Sequence, residues 1–263
     1  MVYHDRMSIR RPTPPAESCR YQPLSPKGII HGPCDDCPVR DLAICRALGN
    51  HCTERLATIT SPVLLNAKQV LFIEREPAAC HYTIVKGVLS TSKVIGDGRR
   101  QITGFLFPGD FVGVAVDDHY SCTAQAVTSA ELCRMPRQPF KGLIAEFPAL
   151  MHRLLDVVSS ELGAAQHHML MLGRKNAEER LASFLLHLSR RAPRRGEVDN
   201  PVTLPMSRGD ISDYLGLTLE TVSRTFAALR DRGLIELRGR QRIRLTAPER
   251  LEALVDALPA SAR

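Results

Sequence analysis

Cys34, Cys37 and Cys45 form a C-x2-C-x7-C group near the start of the chain, with Cys52 close behind. Thiolates are soft ligands that favour zinc or iron–sulfur clusters, and close spacing lets one loop present several sulfurs to one centre. Three are one short of the four a cuboidal 4Fe–4S cluster needs, and four thiolates also close a tetrahedral zinc site. Spacing alone leaves cluster and zinc open. His31 and His51 flank the group and are candidates for joining a zinc site, or plain surface residues. The setting favours metal over disulfides. The opening MVYHDRMSIRRPTPP has charge and proline where a signal peptide needs an apolar stretch. No apolar run approaches the ~18 residues of a membrane span. A cytoplasmic protein is expected, and a reducing cytosol disfavours structural disulfides among its 8 cysteines.

A second constellation lies near the other end. Ser207-Arg208-Gly209-Asp210 reads as a helix start, with Ser207 as N-cap and Asp210 at the third helical position. Ile211, Tyr214 and Leu215 then face inward, and Gly216 breaks the helix. Thr218 caps a second helix to about Arg232, with Val222, Phe226 and Leu229 on its inner face and Gly233 as its C-terminal cap. Two helices joined by a short glycine turn make a helix-turn-helix. Glu220, Ser223 and Arg224 project near the start of the second helix, the part that enters a DNA major groove. Arg224 can donate twice to guanine and Glu220 can accept from cytosine; as a pair alone they form an i,i+4 surface bridge worth ~0.3–0.5 kcal/mol. Ser207, Arg208 and Thr218, at the two helix starts, complete the candidate DNA-contacting set. Leu234–Leu237 and Arg242–Leu245 flank Arg238-Gly239-Arg240-Gln241, a basic hairpin that reads as a wing.

The elements that must position these groups differ along the chain. Residues 1–33, rich in proline and polar residues, read as a mobile arm. From about Leu56 to Arg137 the runs Gln69–Ile73, His81–Val85, Val88–Val94, Gln101–Phe105, Phe111–Val116 and Thr123–Val127 read as short strands separated by glycine turns, which suggests a β-sandwich or jelly roll. After Pro148 the texture turns helical. Leu154, Val158, Leu162, Ala165, Met169 and Leu172 recur at steps of three and four, a stripe able to zip against a partner helix or to pack on its own domain. Gln166, His167 and His168 read as solvated beside it. Residues 174–263 hold 17 of the 35 Lys and Arg but 12 of the 28 Asp and Glu, so most of the net charge of +7 lies there. That is the footprint of a nucleic-acid binder. Nothing favours an enzyme: the chain has no P-loop, G-x-G-x-x-G, G-x-S-x-G or H-E-x-x-H motif.

KNAEERLASFLLHLSRR (Lys175–Arg191) and LPMSRGDISDYLGLTLETVSRTFAALRDRG (Leu204–Gly233) resemble the FNR branch of the CRP/FNR transcription regulators. The E-T-V-S-R of Glu220–Arg224 resembles that family's recognition helix, and QITGFLFPGDFVG (Gln101–Gly113) its effector-domain sheet. The resemblance spans roughly residues 30–245. It implies an α+β architecture: an N-terminal arm and cysteine-rich sensor loop (1–55), a cyclic-nucleotide-binding-like β-roll (56–146), a long dimerisation helix (147–174), a winged helix-turn-helix (175–250) and a tail (251–263). It further implies a homodimer that binds double-stranded DNA at TTGAT…ATCAA palindromes, read by Glu220, Ser223 and Arg224, and that contacts RNA polymerase, mainly as an activator.

Cys133, within Ala124–Pro136, stands where FNR-like proteins carry their fourth cluster cysteine. The resemblance therefore implies one 4Fe–4S cluster per subunit on Cys34, Cys37, Cys45 and Cys133, and oxygen-responsive control of anaerobic or microaerobic genes. Cys122 and Cys52 are rival ligands, while Cys19 and Cys80 fall outside the site. The x7 spacing is that of FixK/FnrN-like relatives from nitrogen-fixing bacteria and is longer than the enteric pattern. The alternative is a FixK-like regulator without a cluster, its cysteines acting as redox thiols or a zinc site. Cyclic AMP is not expected, because Asp117-Asp118-His119-Tyr120-Ser121-Cys122 is acidic and lacks the arginine that meets a cyclic phosphate. Ala164 and Ala165 stand where such proteins often place a charge that discourages dimers, so dimerisation should depend less on the cluster.

Overall fold

A computed structural model describes residues 34, 36–48, 53–191, 201–239 and 241–256. Residues 1–33, with Cys19 and His31, and His51, Cys52 and Arg240 lie outside the described residues. The chain divides into two compact units. The first takes in the residues up to Lys93 together with Gly104–Val158; the second comprises Val94–Thr103 and the chain from Ser159 onward. No helix among the described residues is long and apolar enough to cross a membrane.

The first unit is built on a β-roll. Strands β1 (Ser61–Leu65), β10 (Ala130–Pro136), β3 (Cys80–Lys86) and β6 (Phe111–Val112) form one antiparallel sheet in that order. Strands β2 (Val70–Phe72), β9 (Thr123–Ala126), β4 (Leu89–Val94) and β5 (Arg100–Leu106) form another, and β7 (Ala115–Val116) pairs with β8 (His119–Tyr120). Leu65, Phe72, Tyr82, Ile84, Leu89, Leu106, Ala124 and Leu132 fill one core between the sheets, each large apolar side chain contributing roughly 1.5–3 kcal/mol. The run Phe111–Val116 is two strands rather than one: Gly113, at φ +97°, interrupts it where a Cβ would lie 3.0 Å from the Cys80 carbonyl.

A second core lies on the outer face of the β10 sheet. Helices α1 (Thr53–Ile59), α2 (Arg137–Glu146) and the start of α3 (Pro148–Arg174) pack there with a 3-10 turn at Ile44–Ala47. Ile44, Leu48, Leu56, Phe111, Met135, Phe140, Leu143 and Leu150 are buried together. Strand β10 serves both cores because successive residues point to opposite faces. Leu132 faces the inter-sheet core; Met135 faces the second one.

In the second unit α3 continues to Arg174, followed by α4 (Ala177–Arg191), α5 (Arg208–Leu215), α6 (Leu219–Asp231) and α7 (Pro248–Asp256). Strands β11 (Pro201–Thr203), β13 (Arg242–Leu245) and β12 (Ile235–Arg238) form a three-stranded sheet in that order. The α4 residues Leu181, Leu185 and Leu188 are wholly buried, as are Ile211 and Leu215 of α5 and Val222 and Leu229 of α6. Two readings of α3 change. His168 is buried, not solvated: its ring stacks on Tyr214 with centroids 4.2 Å apart, and its Nε2 lies 2.9 Å from the Tyr214 carbonyl. The exposed apolar stripe is Met151, Leu155, Val158, Leu162, Ala165 and Met169, in steps of 4, 3, 4, 3 and 4. Leu154 instead packs against the second core of the first unit, and Leu172 is half-buried near Gly216.

Candidate functional site

The cysteine loop is a chain of tight turns. Arg40 N–H donates to the Cys37 carbonyl (3.2 Å), Ala43 N–H to Val39 (2.9 Å) and Leu48 N–H to Cys45 (2.9 Å). These turns take up the seven residues between Cys37 and Cys45 and let both cysteines face one space. Val39, Ala43, Ile44 and Leu48 are nearly fully buried and hold the loop down. Its tip presses on the turn before β6: a Cβ on Gly109 would lie 2.7 Å from the Leu42 Cβ. Arg153 of α3 donates through Nη2 to the Leu42 carbonyl at 3.4 Å.

Cys34, Cys37, Cys45 and Cys133 line one cavity of about 430 Å³. Cys133 reaches it because it alternates with Leu132 along β10, and its cross-strand partners Pro62 and Thr83 line the same space. Thr60, Ile44, Leu56 and Met135 complete much of the wall. Burial pushes the Cys45 thiol up to about 11, and the Cys37 and Cys34 thiolates add to the rise. Cys133 is pushed up to about 12, again by burial first and then by Cys34, against a hydrogen bond with Thr60 that lowers it. None of the six described cysteines is in a disulfide. Cys122 and Cys80 pack against the inter-sheet core instead of this cavity.

The donor set fits a sulfur-ligated centre. Four thiols from two separate segments share one space, and the mutual repulsion of their thiolates is the kind of charge a metal offsets. Among the described residues, no three Cys, His, Asp or Glu side chains converge closely enough to hold a single metal ion.

The helix-turn-helix follows the local syntax closely. The Ser207 Oγ accepts from Asp210 N–H at 3.0 Å, and the Asp210 carboxylate accepts from Ser207 N–H at 3.0 Å, a capping box. Gly216 ends α5 at φ +61°. The Thr218 Oγ1 accepts from Thr221 N–H at 3.1 Å and starts α6. Two α5 carboxylates are engaged by one guanidinium: Arg100 donates to Asp210 (2.7 Å) and to Asp213 (2.9 Å). On α6, Glu220 and Arg224 are exposed and sit 3.8 Å apart. Ser223 is also exposed, its hydroxyl donating to the Leu219 carbonyl at 2.9 Å. Leu219, missed in the sequence, is 55% exposed at the first position of α6, where an apolar side chain can meet a thymine methyl. Its signal was an apolar residue off the inner face. In the wing, Glu236 bridges Arg238 (3.3 Å) and Arg244 (4.0 Å). Ser207 and Thr218 are exposed, but Arg208 is half-buried against Phe226.

Comparison with known proteins gives the class. The profile of the Crp-like helix-turn-helix domain matches residues 179–254, and that of the cyclic nucleotide-binding domain matches residues 62–147. The chain belongs to the Crp/FNR family of transcription regulators. Within it, the chain is 41% identical to the transcriptional activatory protein AadR of Rhodopseudomonas palustris, over 84% of this chain and 92% of that one. It is 38% identical to the nitrogen fixation regulation protein FixK of Bradyrhizobium diazoefficiens, over 85% and 94%. The solved structure of FixK2 from Bradyrhizobium japonicum superposes with a TM-score of 0.71 at 36% identity, covering 76% of this chain and 99% of that one. The family's members are regulators, not enzymes.

Proposed function

We propose that this chain is an oxygen-responsive, DNA-binding transcription activator of anaerobic or microaerobic genes. Acting in the cytoplasm as a homodimer, it binds TTGAT…ATCAA palindromes while Cys34, Cys37, Cys45 and Cys133 hold one 4Fe–4S cluster per subunit. The observation that carries the reading is the single cavity lined by those four thiols. When bound, such a cluster supplies oxygen-labile iron–sulfide chemistry, so the four thiolates stay gathered only while oxygen is scarce. The residues of the chain do the rest. Cys34, Cys37 and Cys45 tie the loop to Cys133 on β10, which keeps Leu42 on the Gly109 turn and its carbonyl on Arg153 of α3. The exposed stripe Met151–Met169 on that helix meets the same stripe of a second copy. A dimer places two α6 helices about one DNA turn apart, ~34 Å, which suits a palindrome. Glu220, Ser223 and Arg224 then read base edges, with the wing on the backbone. A coupling of roughly 1–3 kcal/mol between cluster and dimer shifts DNA affinity about 5–150-fold.

Activation follows from the names of the relatives, and with it a contact to RNA polymerase. Cyclic AMP has no place in this reading: Asp117 and Asp118, both exposed and at positive φ, form the turn between β7 and β8, Asp118 already engages Arg137 at 2.7 Å, and Asp117 would repel a phosphodiester. The FixK-like alternative without a cluster is separated by one experiment. Anaerobic reconstitution with iron and sulfide is followed by absorption and by DNA binding with and without oxygen. Uptake of about four irons per chain and oxygen-sensitive binding support the reading. No iron uptake, or equal binding in air, rejects the sensor and leaves the DNA-binding regulator standing.

A further inference from the structure

Arg208 occupies a position that electrostatics alone does not favour. It is the first residue of α5, directly after the Ser207 cap, at the positive end of the helix dipole. The α5 carboxylates do not attend it, since both Asp210 and Asp213 accept from Arg100. Its Nη1 is buried without a hydrogen-bond partner among the described residues. What the guanidinium does touch is an aromatic face: its Cζ lies 3.3 Å from the ring centroid of Phe226. That ring is 3% exposed on the inner side of α6.

The stack matters because of where Phe226 points. At about 100° per residue, Phe226 lies roughly 200° around α6 from Arg224, on the opposite face. Whatever fixes the ring fixes the roll of the helix, and so the direction in which Glu220, Ser223 and Arg224 face outward. Base readout tolerates only about 0.5 Å of misplacement in such a constellation. A phosphate ligand, by contrast, must offer its N–H groups to the outside, and Arg208 turns one of them inward.

We propose that Arg208 is a positioning residue for base recognition, acting through its stack on Phe226 to set the roll of α6, and that it is not a phosphate ligand. The proposal rests on the reading of α6 as the recognition helix. It reverses the expectation from sequence that placed Arg208 in the DNA-contacting set. Arginine suits this work better than lysine, because its flat, weakly hydrated cation covers a ring face that an ammonium on a flexible stem does not.

The test uses the full chain reconstituted with iron and sulfide under anaerobic conditions, with one TTGAT…ATCAA duplex and one scrambled duplex. Arg208→Ala and Arg208→Lys should both weaken the palindrome roughly 2- to 30-fold, the range of a stacked cation. The scrambled duplex and the slope of log affinity against log salt should stay unchanged. In a Phe226→Leu background, Arg208→Ala should add nothing. A salt slope reduced by about one per subunit overturns the proposal, as does rescue by lysine or full additivity with Phe226→Leu. Amide exchange across residues 219–231, measured without DNA, should quicken in both Arg208 variants, and unchanged exchange also overturns it. That readout stands even if Arg208→Ala fails to fold, because Arg208→Lys carries it. If the unmodified chain shows no preference for the palindrome, the recognition reading fails, while the exchange result still decides the stack.

Discussion

Cys133 reaches the thiol cavity from a strand 88 residues beyond Cys45, whereas Ser207, Thr218, Glu220, Ser223 and Arg224 fall within 18 consecutive residues. The two regions are held by different physics. In the helix-turn-helix, caps within three residues of each other satisfy the helix ends, so the local sequence nearly specifies the site. In the cavity, the fourth thiol takes its hydrogen bond from Thr60, 73 residues away in sequence, not from a near neighbour. Its place depends on the register of β10 between β1 and β3 and on the buried anchors of the loop. A site assembled from distant segments is the better sensor, because its assembly is itself a variable. A site written locally is the better reader, because its geometry does not depend on the assembly of distant segments.

Breaking the distant site should have the largest effect. Cys133→Ser should abolish iron uptake under anaerobic reconstitution, and Cys122→Ser should leave it intact. Iron assay per chain decides between them, and equal loss in both would erase the distinction drawn between the cavity and the inter-sheet core. Next comes the surface on α3. Leu162 is 59% exposed, and Leu162→Asp should convert a dimer at micromolar concentration to monomer by analytical ultracentrifugation. Because Ala164 and Ala165 add no charge there, the chain without metal should still dimerise; monomer only would contradict this. In the local site, Arg224→Ala should cost about 1–3 kcal/mol at one base pair, a loss of roughly 5–150-fold, and relax discrimination at that position. Arg242→Ala in the wing should weaken all duplexes alike and lower the salt slope by about one. Competition binding at two salt concentrations separates the two.

Gly109→Ala tests how tightly the loop is seated. It combines φ +92° with the near contact to Leu42, a strain of about 1–3 kcal/mol. Thermal unfolding should fall and iron uptake should slow; an unchanged melting temperature would mean the loop yields freely. The smallest effect is on pH. Burial depresses the His168 pKa, with the Tyr214 and Thr103 backbone opposing it. The folded state favours the neutral ring, so the unfolded chain binds the proton first as pH falls through ~6.5. Stability should be flat above that value and decline below it. His168→Gln should reduce this acid loss, as melting curves at about pH 7.5 and about pH 5.5 would show.

Much of the molecule was legible in its sequence, and the gaps have physical causes. Capping residues, glycine turns and inner-face periodicity placed α5 and α6 closely. Strand β1 was missed because Pro62 demotes a strand, yet it lies at the edge of the sheet, where a missing N–H is tolerated. Strand β10 was missed because each of its faces serves a different core, and its register shifts at Glu131 and Leu132. Helix α2 was folded into the sandwich, since its apolar pair Phe140 and Leu143 is short and its interior holds Gly142. Helix α7 crosses the boundary expected for the tail; only Leu251 is fully buried there, too weak a signal to mark a helix. The stripe on α3 was found one register off at its ends because Leu154 and Met151 are equally apolar, and only packing shows which faces out. His168 was misplaced, and the burial of Arg208 was missed, for a related reason: the partners that bury them, Tyr214 and Phe226, are not adjacent in sequence.

The contact between Leu42 and Gly109 also sets a rule about loop length. Leu42 is the fifth of the seven residues between Cys37 and Cys45, and its Cβ lies where a side chain at position 109 would have to begin. A shorter run would be expected to withdraw that neighbour, leaving the φ of +92° as the remaining reason for glycine at position 109. Length in one segment and the smallest side chain in another are thus coupled, and placing a larger residue at 109 beneath a loop of this length should produce a clash on top of the backbone strain.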